Sequence, residues 1–538
     1  MQFDYIIVGA GSAGCVLADQ LSAKGKNKVL VLEAGGTDAR FWIKAPLGYG
    51  VTYADPKVNW RYTAAPDPGL NDKTAYWPRG RVVGGSSSIN AMAYVRGLAQ
   101  DFDDWALAGA TGWHWDNVRA VFERLETNVS AGPPRGDGPV YVSDMSDQMH
   151  PFSQQFLAGA RDLGWPIVDD MNATSDAGIS FYRSTVHRGL RWSAADAFLR
   201  PALKRGTVRL VKNALVERIL FEGTRAVGVR YCVAGQQVEV KTQGEVILSS
   251  GAINSPQVLQ LSGIGAATPL RALGLAVVQN APQVGQGLQD HLAITQHFSA
   301  TQPTLNARLG SRLGRTGVGL QYVLSRKGPM AVPVNQVGGF VRSDPKLTAP
   351  NMQVYCNPVS ARTRADGRPE VAPTPGFVLS VQPCRPTSRG EIMLHSADPR
   401  EAPRIQPNSL STAYDRQEAV QAGRVIQTLA RAPSIAAVTK SVVGPNILDM
   451  DQDALLENFR NQAATNFHPT CTCRMGRSAQ DSVVDARLRV HGVQHLRVVD
   501  ASAFPNVTSG NTNAPTLMLA MRAASLILED QAALLSQA

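Results

Sequence analysis

The sequence predicts an α/β protein of two joined domains, one of them organised around a strand–turn–helix–strand unit at the N-terminus. Three observations carry this. The first 33 residues read as strand, glycine-rich turn, helix and strand; a second strand-to-helix passage follows Val246-Ile247-Leu248; and the chain has 538 residues. A single hydrophobic core stops growing near ~250–300 residues, so this length divides into two.

Composition narrows the class. Apolar residues make up 44% and charged residues 18%, the balance of a folded globular protein and not of a disordered or fibrous one. The 53 basic and 43 acidic residues leave a net charge of +10. Lys and Arg are scattered singly with no basic block, which argues against nucleic acid as a partner. Six cysteines (Cys15, Cys232, Cys356, Cys384, Cys471, Cys473) are too few and too irregularly spaced for a disulfide framework, so reduced thiols are expected. The start, Met-Gln-Phe-Asp-Tyr, lacks a positive n-region and a cleavage site. No stretch reaches 18 uncharged apolar residues, because the best one, Thr516 to Leu528, is short and holds Arg522. A cytoplasmic protein without a transmembrane segment is expected, with at most peripheral contact at the inner membrane.

Residues 4–8 (Asp-Tyr-Ile-Ile-Val) form the first strand, and a helix runs from the turn to about Ala23. In the turn, Gly9 serves the tight bend, Gly11 lets backbone reach a pyrophosphate, and Gly14 permits close helix–strand packing. The helix N-terminus offers free N–H groups to phosphate. Val29-Leu30-Val31-Leu32 then ends at Glu33, 19 positions after Gly14, where a carboxylate meets an adenosine ribose. The unit is a dinucleotide cradle that leaves FAD and NAD both open.

Segment 80–103 begins Gly80-Arg81-Val82-Val83-Gly84-Gly85-Ser86-Ser87-Ser88-Ile89-Asn90. Its small residues let backbone amides approach a large flat ligand; a flexible Gly/Ser loop explains the same composition. Segment 251–265, Gly251 to Gly265, follows Val246-Ile247-Leu248 as another strand-to-helix passage.

Together with the cradle, these two segments resemble the glucose-methanol-choline oxidoreductase family at every restricted position of its two hallmark patterns, and the resemblance runs from residue 4 to about 528. It implies an α/β fold (α+β overall) with a doubly wound FAD-binding domain and a second, substrate-binding domain on an antiparallel sheet. Residues 1–155, 208–296 and 465–538 would form the first domain, and residues 156–207 and 297–464 the second. FAD would be held by Gly9, Gly11, Ser12, Ala13, Gly14, Glu33 and Ala34, by Arg81, Val83, Gly85, Ser86, Asn90 and Ala91, by Val216, and by Asp500, Ala501, Pro515 and Thr516. Some relatives bond the flavin to a histidine that aligns with Ile89. Isoleucine has no nucleophile, so non-covalent FAD is expected.

Near the C-terminus, Asn466-Phe467-His468-Pro469-Thr470-Cys471-Thr472-Cys473-Arg474-Met475-Gly476 and Gly510-Asn511-Thr512-Asn513-Ala514-Pro515-Thr516 look like the two catalytic segments of the family. By that match His468 is the base and Asn513 its partner. The chemistry suits them: an imidazole with an unperturbed pKa near ~6.5 is mostly neutral at physiological pH and can accept a hydroxyl proton, while hydride goes to flavin N5. The Asn513 amide would donate to the developing alkoxide. His291, in Gly285-Gln286-Gly287-Leu288-Gln289-Asp290-His291, is a lesser candidate for lining the site, and the family's usual Asn is replaced by Gly287, which suggests a more mobile loop. Cys471 stands where the family's commonest version has glycine; a narrower pocket or thiol sensitivity is expected. The step from Cys471 to Cys473 lacks a second ligand pair at metal spacing, so no metal is expected. Absence of a G-x-S-x-G elbow removes a serine hydrolase.

Phe377–Gln382 and Glu391–His395 read as strands of the second domain, with Pro386 and Gly390 punctuating the turn between them. The segment from Asn357 to Pro375, bearing Arg362, Arg364 and Arg368, reads as a loop and a candidate lid. The expected reaction is oxidation of a primary alcohol to an aldehyde, the electrons leaving to an external acceptor (quinone, dye, carrier protein or O2). Resemblance to bacterial alcohol, choline, polyethylene glycol and sorbose dehydrogenases favours a dehydrogenase. An alcohol oxidase using O2 and a hydroxynitrile-lyase-like enzyme with non-redox FAD stay open.

Overall fold

Continuous apolar runs build the centre of the molecule. The computed structural model describes residues 2–130, 132–363 and 369–537. Strand Phe3–Val8 lies between Val29–Glu33 and the end of Gln236–Leu248, with Val208–Lys212 and Leu496–Val498 outside them, all parallel. Parallel strands covered on both faces need no polar alternation, and Ile6, Ile7, Val29, Val31 and Val246 to Leu248 are buried accordingly. The 13-residue strand Gln236–Leu248 serves two partners. Its end runs parallel to the first strand, while its beginning pairs antiparallel with Arg225–Val233, which pairs in turn with Ala214–Glu222. Helix Ser12–Ser22 packs on this sheet and against the closing helix Asn513–Gln537. Pro515 falls in that helix's first turn, where a missing N–H costs nothing.

A second seven-stranded sheet is antiparallel throughout its main path. It runs Thr439–Val443, Leu292–Ala300, Gly376–Pro383, Met352–Asn357, Val337–Val341 and Gly178–Phe181, with Ala464–Thr465 pairing on Leu292–Ala300. Helix Ala413–Ala430 packs against Gly376–Pro383.

Two expectations change. The strand expected at Glu391–His395 is Gly390–Met393, and it pairs with Gln286–Leu288 and Arg404–Gln406 in a separate small sheet. Pro383 and Pro386 withhold ladder donors between it and Gly376–Pro383, so no hairpin forms there. The expected loop from Asn357 to Pro375 contains a short antiparallel pair, Ala361–Thr363 with Pro369–Val371, while Arg364 and Arg368 lie outside the described residues. Leu292–Ala300, through which a boundary at 296 would cut, belongs wholly to the second sheet.

Candidate active site

A cavity of 1720 Å³ gathers most of the residues singled out in the sequence. Gly9, Gly11, Ser12, Ala13, Glu33 and Ala34 line it, with Gly85, Ser86, Asn90, Ala91, Val216, Asp500, Ala501 and Thr516, and so do His468 and Asn513. Gly14, Arg81, Val83 and Pro515 do not. Gly14 is needed for packing, because a Cβ there would lie 1.9 Å from the Gly9 carbonyl oxygen. The Arg81 guanidinium sits over the Trp60 ring, 4.8 Å from its centroid, and Val83 is buried with its N–H on the Gly36 carbonyl.

The residues present fit FAD. At Gly11 a Cβ would meet no atom closer than 3.9 Å, so the bare backbone at the start of helix Ser12–Ser22 is open to a ligand. No acid stands in that helix's first turn to compete with a phosphate. The Glu33 carboxylate accepts the Ala10 N–H at 2.9 Å on Oε2 and the Gly35 N–H at 2.8 Å on Oε1. Burial pushes its pKa up to about 7 against those two hydrogen bonds, leaving a group that can share protons with ribose hydroxyls.

His468 is held by a chain of hydrogen bonds whose polarity can be derived. The Cys384 carbonyl can only accept, so the His291 Nε2 facing it at 2.8 Å carries a proton. Neutral His291 then presents Nδ1 as an acceptor, 2.9 Å from His468 Nδ1. His468 therefore keeps its proton on Nδ1 and offers a bare Nε2, to which the Asn511 amide donates from Nδ2 at 3.1 Å. Asn511 is turned this way because its Oδ1 faces a donor, the Gln353 amide at 3.5 Å.

The backbone around His468 is anchored at several points. Asp290 accepts the His468 N–H at 2.7 Å and the Thr465 hydroxyl, while the Cys471 and Cys473 N–H groups bond to Ala501 and Ser502 carbonyls. Phe467 and Cys471 adopt φ of 65° and 73°, conformations that cost ~1–3 kcal/mol each and persist only when their surroundings impose them. Arg79 imposes one: its Nη2 donates to the Phe467 carbonyl at 2.5 Å.

Electrostatics keep both imidazoles neutral. Burial holds His468 well below the ordinary histidine pKa, and His291 and Arg79 push it further down. Burial also lowers His291, to about 4, with the Cys384 hydrogen bond opposing. Asp290 rises to about 6 through burial, against its hydrogen bonds and Arg79.

The partner assignment needs correction. Asn511, not Asn513, reaches His468; the Asn513 side chain turns to the cradle, its Oδ1 accepting the Ser12 hydroxyl at 2.7 Å. Residue 513 is the first of the closing helix, and its side chain lines the same cavity as His468. Cys471 is fully buried outside the cavity wall, its Sγ between Gln289 Oε1 and Thr470 Oγ1, so it does not narrow the pocket. The Gly287 loop forms strand Gln286–Leu288. Sequence reasoning missed Asp290, Arg79 and Asn511 and ranked His291 low. The Asp-His pair directly before an apolar strand start was the available signal.

Two GMC oxidoreductase family models match, at residues 3–293 and 386–520. An alcohol dehydrogenase [acceptor] of Pseudomonas putida is 41% identical over 532 residues, covering 98% of this chain and 96% of that one. The mitochondrial choline dehydrogenase of Mus musculus is 41% identical over 98% of this chain and 89% of its own. Among solved structures, pyridoxine 4-oxidase from Mesorbium loti superposes with a TM-score of 0.86 at 27% identity, over 97% of this chain and 99% of the other.

Proposed function

The chain belongs to the GMC oxidoreductase family and binds FAD for alcohol oxidation, and from that premise we propose that it converts a primary alcohol to an aldehyde with His468 as base, passing the electrons to an external acceptor. The observation that carries the reading is the unprotonated Nε2 of His468, an acceptor for the Asn511 amide, in the cavity that also holds the dinucleotide cradle. Bound FAD supplies the two-electron acceptor. The chain's own residues handle the proton: Nε2 takes it from the hydroxyl, and the Asn511 amide donates to the oxygen as negative charge develops. His291 keeps His468 in the useful tautomer and ring orientation. Ile89 lines the cavity without a nucleophile, which supports dissociable FAD.

Neutral alcohols suit the lining better than quaternary ammonium compounds. Among the described residues, the carboxylates on the cavity wall are Glu33, Glu370 and Asp500. Each is engaged: Glu33 by the Ala10 and Gly35 N–H groups, Glu370 by Arg362 at 3.1 Å, and Asp500 by the Gly251 N–H and the Ser255 hydroxyl. A cationic headgroup would find aromatic faces but no spare counter-charge. Similarity to the alcohol dehydrogenase [acceptor] favours a dehydrogenase over an oxidase. The two sheets support a cofactor unit of 1–155, 208–296 and 465–538 and a substrate unit of 156–207 and 297–464, with the boundary at 296 moved ahead of Leu292.

The test is anaerobic mixing of the holoenzyme with aliphatic alcohols and with choline, followed by the flavin's visible absorbance. Aliphatic alcohols should bleach it, and His468→Ala should slow bleaching at least ~100-fold with FAD retained. Bleaching by choline alone overturns the substrate reading, and none by any alcohol overturns the reaction. Reoxidation by O2 as fast as by a quinone overturns the acceptor reading. Acid precipitation should release FAD into the supernatant.

A further inference from the structure

Helix Arg312–Ser325 is apolar on both faces, although only one is covered. Val318 and Tyr322 point inward and are buried. On the opposite side Leu313, Gly317, Leu320 and Leu324 follow i, i+4, i+7 and i+11, which places them in one outward stripe. The three leucines are 87%, 60% and 76% exposed. Leucine stripes on a helix otherwise fit a buried environment, so this face lacks its cover. Phe41 and Trp42, 46% and 45% exposed, line the cavity, Phe41 lying 6.1 Å from the inward-facing Tyr322 ring.

The same helix rims the active-site cavity. Arg312, Arg315, Val318, Gly319 and Val323 line it, Val323 being 56% exposed, while Leu320 and Leu324 face away from it. Positive charge surrounds the stripe: Arg308, Arg312, Arg315, Arg326 and Lys327 occur here, and no Asp or Glu occurs anywhere from 291 to 343. Glu370, an acid on the cavity wall, is paired with Arg362.

We propose that this face docks on an anionic lipid surface, with Leu313, Leu320 and Leu324 entering the headgroup–acyl boundary and the cations meeting lipid phosphates. A leucine stripe edged by Arg and Lys is the composition of a helix lying in a membrane interface. A second copy of the chain fits less well, because a symmetric contact through this face would bring two cationic rims together. Docking sets the mouth of the cavity against the bilayer. Among the described residues no helix is long and apolar enough to cross a membrane, so attachment here is interfacial.

Vesicle flotation tests this without any turnover, so its outcome is independent of the reaction proposed above. The holoenzyme should float with vesicles of phosphatidylcholine mixed with phosphatidylglycerol, bind pure phosphatidylcholine more weakly, and release as salt rises. The triple variant Leu313→Ser, Leu320→Ser, Leu324→Ser should lose about 100-fold or more in partitioning, with melting temperature and flavin content unchanged. A second variant, Arg308→Gln with Lys327→Gln, should lose the preference for the anionic vesicles. Failure of the native protein to float, or equal flotation of the triple variant, overturns the proposal. So does a native dimer that the triple variant converts to monomer, which would make a second copy the cover.

Discussion

Two asparagines, Asn511 and Asn513, stand two positions apart and do different work. Asn511→Ala removes the donor to the oxygen beside His468, so kcat/KM should fall ~100–1000-fold, the range expected for one positioned donor. Asn513→Ala breaks a hydrogen bond to Ser12 in the cradle and should weaken FAD retention more than turnover. Steady-state kinetics with a flavin titration separates them; equal kinetic losses would return the partner role to Asn513. The sequence could not choose between them, because both sit in Gly-Asn-Thr-Asn and only the backbone angle where loop becomes helix decides which side chain turns to the base. His468 was legible from its motif, and Cys471 only half so. Its place in the motif is glycine's, and the structure shows why: φ is 73°. Cys471→Gly should change stability by less than ~1 kcal/mol, strain relief offsetting lost sulfur packing, whereas the β-branched Cys471→Val should cost more than ~2 kcal/mol. Urea unfolding midpoints check both. Burial pushes the Cys471 thiol up, so thiol reagents should leave it unmodified until the protein unfolds.

At the scale of elements, the parallel strands were legible because burial on both faces writes them as unbroken apolar runs. The antiparallel sheet was less so. Val337–Val341 carries Gly338 and Gly339, residues that favour turns; at Gly338 a Cβ would sit 1.9 Å from the Val354 carbonyl oxygen and 2.6 Å from the Tyr182 ring. Long-range charge was equally hidden. Arg497, on strand Leu496–Val498, bonds to Glu245 on the adjacent strand at 2.5 Å and to Asp530 on the closing helix at 2.8 Å, with 3% of its side chain exposed. Nothing local in the sequence announces that three elements meet at one guanidinium. Arg497→Ala leaves Glu245 without its cation, a loss of ~3–5 kcal/mol for a buried pair. Thermal melting should show it, and a variant within ~1 kcal/mol of the native protein would mean that Glu245 tolerates the loss of that cation, Asp530 still having Arg487 and Arg489.

For the whole molecule, the buried site makes an acid-stability argument that can be isolated. His291 is neutral when folded, burial lowering its pKa to about 4, while in the unfolded chain it titrates near ~6.5. A depressed histidine contributes stability that is fully present above the unfolded value and lost as pH falls toward the folded one. Asp290 and Glu33 oppose this, since burial raises them to about 6 and about 7, above the unfolded ~4. They take up protons in the folded state over the same range, and the native protein's total slope between pH 6 and 4.5 conceals both effects. Comparing the native protein with His291→Asn removes the concealment, because the carboxylates titrate in both. The native protein should lose ~1.4 kcal/mol per pH unit relative to the variant as pH falls from 6 to 4.5, read as diverging urea midpoints. Parallel curves would mean that His291 exchanges its proton freely with solvent when folded. The Nε2–H to Cys384 would then not be held, and the tautomer that leaves His468 Nε2 bare would lose its support.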